Sequence, residues 1–219
     1  ANDESGNGND GELKGDILSV DRFGKSNSAV QFKGKGDYVA VKRDSSIITN
    51  SGFSISFWVI GDFLGEDTVY PVMHQSNGIY NTPKWALIFD GKQYFGGEGG
   101  PHFHRVWQES RPQWFFGDDN SRNSSIYDST KWTNIAITYD GSSLILSENG
   151  KKVKKEDVSG LDFIPDSISA SLLIGADELG NFSYSGSFDD LRIYNRALSE
   201  AEVATLYAAE SESSKTYEA

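Results

Sequence analysis

The chain of 219 residues contains no cysteine, few prolines and one methionine. The absence of cysteine excludes disulfide bonds, thiolate zinc sites and cysteine nucleophiles. No apolar run approaches the length of a membrane-spanning helix. Basic residues are also scarce, 20 against 32 acidic ones, and the net charge of −12 produces a surface that repels phosphate backbones. We therefore expect neither a membrane span nor a nucleic-acid partner.

Apolar residues make up 37% of the chain and aromatic residues 13%, which is enough to bury a core. The 23 glycines suit many strands joined by tight turns. The length fits one β-sandwich domain. We expect this domain to occupy residues 1–209, and the charged residues 210–219 to form a mobile tail.

Short apolar stretches with a period of two recur between turn signals, which is typical of half-buried strands. These stretches are residues 28–32, 38–41, 53–59, 132–139, 143–147 and 171–175. Asp140-Gly141 and Asn149-Gly150 separate such stretches and are strong hairpin signals. Ile135 and Ile137 share one strand face, which we expect to pack inside a two-sheet sandwich.

Only one segment, residues 198–207, has the pattern of a helix. Ser199 is its candidate N-cap, and Glu200 and Glu202 in the first turn favour the helix dipole. Regular strand spacing followed by one late helix predicts an all-β fold of two antiparallel sheets with a short C-terminal helix outside the sandwich.

The C-terminal stretch Phe188–Val203, FDDLRIYNRALSEAEV, resembles the closing motif of laminin-G-like jelly rolls. These domains belong to the concanavalin-A-like lectin and glucanase group, with pentraxins as distant relatives. Further motifs of the family are matched in the same order by residues 3–11, 30–39, 53–59, 131–141 and 144–150. The resemblance covers nearly the whole chain and implies a jelly-roll sandwich. It is weak evidence for function, because this fold hosts lectins, adhesion domains, hydrolases and lyases.

The resemblance also implies a calcium site. In several jelly rolls of this group, an aspartate at the position of Asp189 holds a structural Ca²⁺ that ties down the N-terminal segment. Asp3, Asn7 and Asn9 offer closely spaced oxygens of the kind that Ca²⁺ prefers. We therefore expect Ca²⁺ as cofactor, with Asp3, Asn7 and Asp189 as ligands. The alternative is that the N-terminal residues form Asx turns. The acidic pair Asp177-Glu178 is a less favoured second site.

Residues 71–120 depart from the family pattern and contain all three histidines of the chain. His102 and His104 are two positions apart, so they share one face of an extended strand. Two imidazoles can bind sugar hydroxyls or transfer a proton. With His74 they could hold Zn²⁺ or Cu²⁺, which is the less favoured interpretation because the spacing alone is a weak signal.

The same segment supplies the other candidate ligand-binding residues, Arg105, Trp107 and Trp114. A guanidinium beside imidazoles suits a carboxylate or sulfate group, and an indole ring can stack on a pyranose. On a regular strand Arg105 and Trp107 fall on the face opposite the histidines. We therefore expect that either one reaches a ligand on the histidine face only through a loop.

We expect a secreted or cell-surface bacterial domain that binds a polysaccharide or other glycan and has no catalytic activity of its own. The alternative is a lyase of uronic acid polymers. Its base would be His102, His104, Tyr80 or Tyr94, and Arg105, Gln108 or a histidine would neutralise the uronate. A third possibility is an adhesive domain that recognises protein. Glycoside hydrolysis is disfavoured, because no strand carries the alternating carboxylates that retaining glycosidases of this fold use.

Overall fold

The computed structural model describes residues 1–15, 17–34, 36–42, 48–61, 69–76, 83–90, 101–106, 112–115, 130–158, 171–176 and 184–212. Within these ranges the chain forms strands and one helix. The strands are β1 (Gly11–Lys14), β2 (Leu18–Ser19), β3 (Ala29–Lys33), β4 (Tyr38–Val41), β5 (Phe53–Ile60), β6 (Val69–Ser76), β7 (Pro83–Asp90), β8 (Pro101–Val106), β9 (Pro112–Phe115), β10 (Thr133–Tyr139), β11 (Ser143–Glu148), β12 (Lys151–Asp157), β13 (Leu172–Ile174) and β14 (Ser185–Tyr194), and the helix is α1 (Glu200–Glu212).

The strands form two seven-stranded antiparallel sheets. The first sheet has the order β1-β4-β13-β6-β7-β8-β9, and the second has the order β12-β11-β10-β5-β14-β3-β2. Sequence neighbours such as β6 to β9 pair in succession, whereas β5 pairs with both β10 and the much later β14. This arrangement confirms the predicted jelly-roll sandwich with one C-terminal helix.

The core lies between the two sheets and follows the period-two pattern of β5 and β10. Ile55 pairs with Ile137 and Phe57 with Ile135, and all four side chains are fully buried. The ring of Phe57 stacks on that of Phe188 in β14 with centroids 4.9 Å apart. Burying a side chain of this size stabilises the fold by roughly 1.5–3 kcal/mol. The prediction that Ile135 and Ile137 face the interior is confirmed.

Both predicted hairpins are present. The turn between β11 and β12 consists of Asn149 and Gly150, whose φ angles of 48° and 72° are both in the left-handed region, as a type I′ turn requires. A Cβ atom on Gly150 would lie 2.9 Å from the ring of Tyr207. Glycine at this position therefore serves two purposes, the turn and the close approach of helix α1.

Helix α1 begins as predicted and ends later than predicted. The Ser199 backbone N–H donates to Glu202 Oε2 at 2.8 Å, and the Glu202 N–H donates to Ser199 Oγ at 3.2 Å, which is a capping box. The helix packs on the outer face of the second sheet through Val203 and Ala136. It continues to Glu212, so residues 210–212 are helical. Residues 213–219 lie outside the described part of the chain.

Candidate functional site

Strands β7, β8 and β9 place the histidine pair on the outer face of the first sheet. Phe103 in β8 pairs with Leu87, which is fully buried in the core. Since neighbouring positions of a strand face opposite sides, positions 102 and 104 fall on the side away from the core. His104 pairs directly with Trp114 in β9. The register therefore brings His102, His104 and Trp114 to one sheet face.

The register extends this row of positions toward the centre of the sheet. His104 pairs with Ala86, Ala86 pairs with His74 in β6, and His74 pairs with Leu173 in β13. The side chain of His74 is buried, with 5% exposure. The three histidine positions thus share a face, but His74 is enclosed. Its enclosure favours a structural role for His74 over contact with a polymer.

The remaining candidates of this segment do not join the row. Arg105 pairs with Gln113, so its position lies on the same side of β8 as Phe103. The backbone register thus gives Arg105 and the histidines alternate positions of β8. Trp107 and Tyr80 lie outside the described residues. Their roles, and any route by which Arg105 reaches the histidine face, stay predictions.

The N-terminal calcium candidates form an Asx-type loop. Asp3 Oδ1 accepts the N–H of Ser5 at 2.9 Å, and Asp3 Oδ2 accepts the N–H of Asn9 at 2.9 Å. Hydrogen bonds from the side chain of Ser5 and from the backbone of Asn9 and Ser5 lower the pKa of Asp3 to about 2. Asn7 donates from Nδ2 to Ser5 Oγ at 2.9 Å. Both Asp3 oxygens therefore already accept protein hydrogen bonds.

The third calcium candidate, Asp189, makes an ion pair. Its Oδ2 lies 2.5 Å from Arg22 Nη1, and both side chains are almost completely buried. Burial raises the pKa of Asp189, and the positive charge of Arg22 opposes that rise. The described contacts do not join Asp3 and Asn7 to Asp189, and a guanidinium already supplies the cation. The set of Asp3, Asn7 and Asp189 as calcium ligands stays a prediction.

The described ranges contain no group of three or more metal-binding side chains. The structural calcium ion stays a prediction, and its test is given in the Discussion.

Asp189 belongs to a cluster that the sequence did not reveal, formed by Arg22, Trp58, Asp189, Arg192 and Glu210 and called here the Arg22 cluster; the side chains of all its members except the exposed Arg192 are buried. The Arg22 Cζ atom lies 4.6 Å from the centroid of the Trp58 ring, and Arg22 Nη2 donates to the Glu210 carbonyl at 3.0 Å. Trp58 Nε1 donates to Glu210 Oε2 at 2.7 Å, and Arg192 Nε donates to Glu210 Oε1 at 2.6 Å.

The Arg22 cluster joins four separate parts of the fold: the segment after β2, strand β5, strand β14 and the last turns of α1. Arg22 is separated from Asp189 by 167 residues and Trp58 from Glu210 by 152. No local pattern signals contacts over such separations. Glu210 and Trp58 are buried, with 4% and 5% exposure, so a ligand has no access to them. The cluster therefore stabilises the fold by joining distant segments and is not a ligand site.

Comparison with known proteins gives one family. The family model described as "Concanavalin A-like lectin/glucanases superfamily" matches residues 33–204. No curated protein matches the chain in sequence. Arg22, Tyr207 and Glu210 lie outside the matched range, whereas Trp58, Asp189 and Arg192 lie inside it. The Arg22 cluster therefore combines family positions with positions beyond the family match.

Solved structures with the same fold include several toxin domains. The botulinum neurotoxin serotype G binding domain has a TM-score of 0.71 and 18% identity over 95% of this chain and 48% of its own. The serotype D binding domain has a TM-score of 0.69 and 18% identity over 94% of this chain and 48% of its own. The binding domain of Paraclostridial Mosquitocidal Protein 1 has a TM-score of 0.67 and 23% identity over 96% and 49%. The chain thus spans about half the length of these structures.

Proposed function

Since the chain belongs to the concanavalin A-like lectin/glucanase superfamily, we propose that it is a carbohydrate-binding domain without catalytic activity of its own. The proposed ligand face is the outer face of the first sheet around His102, His104 and Trp114. One observation carries the proposal: the register of β8 and β9 gathers two imidazole positions and one indole position on the side away from the core. Indole and imidazole groups suit the mixed apolar and polar faces of a sugar.

The solved structures that share this fold support a binding role. Each of the three structures is a binding domain, and each match extends over nearly the whole of this chain. A binding domain of a secreted or cell-surface protein is the corresponding proposal here. No helix within the described residues is long and apolar enough to cross a bilayer.

Recognition of a protein receptor is the second candidate function, and a further structure with this fold favours it. The botulinum serotype C/D mosaic structure is described as a receptor-binding domain, with 18% identity and a TM-score of 0.68. The lyase alternative has less support. Its base and its neutralising arginine must act on one sugar residue, whereas Arg105 and the histidines occupy opposite faces of β8.

A glycan array tests the proposal, followed by titration of the best ligand. We expect the double variant His102→Gln/His104→Gln to lose roughly tenfold or more in affinity, as expected for residues central to a binding site. Trp114→Ala should have a similar effect. Gln113→Ala, one position away on the opposite strand face, is the matched control and should bind as the unmodified chain does.

The pH dependence adds a second readout. Affinity for the glycan should change between about pH 6 and 7 in the unmodified chain, where imidazole titrates, and this change should disappear in the histidine double variant. Absence of any glycan ligand, together with binding to a protein receptor, would replace carbohydrate with protein recognition. Release of unsaturated uronate from a polymer, followed by its ultraviolet absorbance, would replace binding with lyase activity.

A further inference from the structure

Strand β12 carries a concentration of positive charge on an acidic protein. Lysines occupy four of its first five positions, Lys151, Lys152, Lys154 and Lys155. Together with Glu156 and Asp157, the lysines give the strand a net charge of +2. Since the net charge of the chain is −12, the remaining residues carry −14. β12 is also an edge strand of the second sheet, on the opposite sheet from His102 and His104. We call these four lysines the lysine edge.

Two of the four lysines have acidic partners at the surface. Lys152 Nζ lies 2.5 Å from Glu200 Oε1 of α1, and Lys154 Nζ lies 3.1 Å from Glu156 Oε1. The Lys152–Glu200 pair is exposed, and such pairs are weak and easily exchanged for another anion, whereas the Lys154–Glu156 pair is half-buried. Lys151 and Lys155 are exposed and form no direct ion pair with any described residue, although Lys155 also interacts electrostatically with the Asp140 carboxyl. The lysine edge therefore has charge available for an external anion.

Lysines on an edge strand can also serve only to prevent edge-to-edge pairing of sheets. In β12 a β-bulge already prevents edge-to-edge pairing. The pairing with β11 shifts between Leu146 and Ser147, so Val153 is left over as a β-bulge. A bulge interrupts the regular edge that an added strand needs. Protection of the edge therefore does not require four lysines, and the bulge disfavours an extended peptide as the partner.

The surrounding negative charge limits the shape of the partner. Strands are spaced about 4.8 Å apart, less than the Debye length of about 8 Å at physiological ionic strength. A flat anionic membrane or a wide duplex on β12 would also meet helix α1, which packs beside β12 and carries exposed Glu200, Glu202 and Glu212. A single narrow chain can follow the strand edge, where the positions of Lys151 and Lys155 are about 13 Å apart in the extended backbone and, because of the bulge, fall on the two faces of β12.

We propose that the lysine edge binds a linear anionic polysaccharide through its sulfate or carboxylate groups, at a site separate from the histidine face. Because lysine side chains are flexible, their ammonium groups can bind anionic groups whose spacing along the polymer varies. This suits the irregular substitution of such polysaccharides. This inference rests on the proposed carbohydrate-binding function and adds a second, electrostatic subsite to it. The site is selective for charge and tolerant of sugar identity.

The test measures binding of dextran sulfate, with neutral dextran of equal length as the reference, at low and at physiological salt. We expect the double variant Lys151→Gln/Lys155→Gln to lose roughly three- to thirtyfold in affinity, the range for two exposed ion pairs. The control Lys33→Gln/Lys42→Gln makes the same charge change at exposed positions of β3 and beyond β4. It should lose less than twofold.

Glu200→Gln provides a variant with the opposite expected effect. Removing this carboxylate frees Lys152, so affinity for dextran sulfate should rise about two- to threefold. Alginate in place of dextran sulfate distinguishes carboxylate from sulfate recognition. Affinity should fall with rising salt for both polymers and should be absent for neutral dextran.

Other outcomes separate this inference from the proposed function. Dextran sulfate binding that survives loss of Lys151 and Lys155 but fails in His102→Gln/His104→Gln would show that the lysine edge is not a binding site. The histidine face would then be the site that binds the polymer. If the lysine variant aggregates and binds normally, the lysines only protect the edge. Equal binding of polyglutamate would overturn the choice of a polysaccharide. Failure of all glycans on an array would remove the proposed function itself.

Discussion

The indole Nε1 of Trp58 donates a hydrogen bond of 2.7 Å to the carboxylate of Glu210, across 152 residues of sequence. Tyr207, one helical turn before Glu210, stacks on the same indole with ring centroids 5.5 Å apart. Two successive turns of helix α1 thus meet a single tryptophan on the outer face of β5. The end of the helix is held by polar contacts as well as by apolar packing.

Replacing Arg22 with methionine should destabilise the fold by about 3 kcal/mol. The change leaves the buried Asp189 carboxylate without its cation, which is the costly way to break a buried ion pair. Urea denaturation measures the loss. Lys152→Met breaks an exposed pair with Glu200 and is the control, with an expected loss below about 1 kcal/mol. Equal losses in the two variants would show that the buried Arg22–Asp189 pair contributes no more to stability than an exposed pair.

Removing the helix cap should weaken α1 specifically. Ser199→Ala deletes the hydroxyl that accepts the Glu202 N–H, and such caps contribute about 1 kcal/mol. Ser211→Ala, in the last turn, removes a hydroxyl that only donates to the Tyr207 carbonyl and should cost less than about 0.5 kcal/mol. Chemical denaturation gives the total loss, and hydrogen exchange within α1 shows whether it is local. A cap variant as stable as the unmodified chain would contradict the capping box.

Two exposed carboxylates should titrate far below their ordinary range. Hydrogen bonding to Arg196, then to Ser199, lowers the pKa of Glu202 to about 2, and hydrogen bonding to Ser5 and Asn9 does the same for Asp3. A lowered pKa in the folded state means stability that is present above the ordinary value of about 4 and is lost as the pH falls through about 2. Carboxyl NMR titration measures both groups directly.

The two sites provide controls for each other. Arg196→Met should raise the pKa of Glu202 and leave that of Asp3 near 2, and Ser5→Ala should do the reverse. If both pKa values stay near 2 in both variants, the assigned hydrogen bonds are not their cause.

The calcium prediction is tested by chelation. An ion that bridges Asp3, Asn7 and Asp189 would stabilise the native state by mass action, so EDTA would lower the Tm and Ca²⁺ would restore it. Arg22→Met would then increase the calcium response, because it frees the Asp189 carboxylate. Asp189→Asn would abolish it. A Tm that is indifferent to EDTA and Ca²⁺ would leave the Arg22 guanidinium as the cation of that carboxylate.

The sandwich was predictable because its signals are local. Alternation in β10 assigned Ile135 and Ile137 to the core, and Asn149-Gly150 marked a hairpin that the structure contains. The face shared by His102 and His104 followed from the same period of two. Each of these predictions uses residues that are adjacent or nearly adjacent in sequence.

Contacts between distant segments were not predictable in this way. The register of β8 against β9 decides that Trp114 stands opposite His104, and one residue of slippage would have paired His104 with another position. Helix α1 was expected to stop at Tyr207, because apolar periodicity ends there. It continues because Glu210 is bound by Trp58 and Arg192, which belong to strands far away in sequence.

The contact of Arg22 with Glu210 has a consequence for synthesis of the chain. The two residues are 188 positions apart, so Arg22 leaves the ribosome long before its partner exists. Strand β14, which contains Asp189, is also synthesised late. It inserts between β3 and β5, two strands that are synthesised much earlier. The second sheet therefore stays open between β5 and β3 until the last strand of the domain is made, and this is the interval in which the nascent domain most needs protection from aggregation.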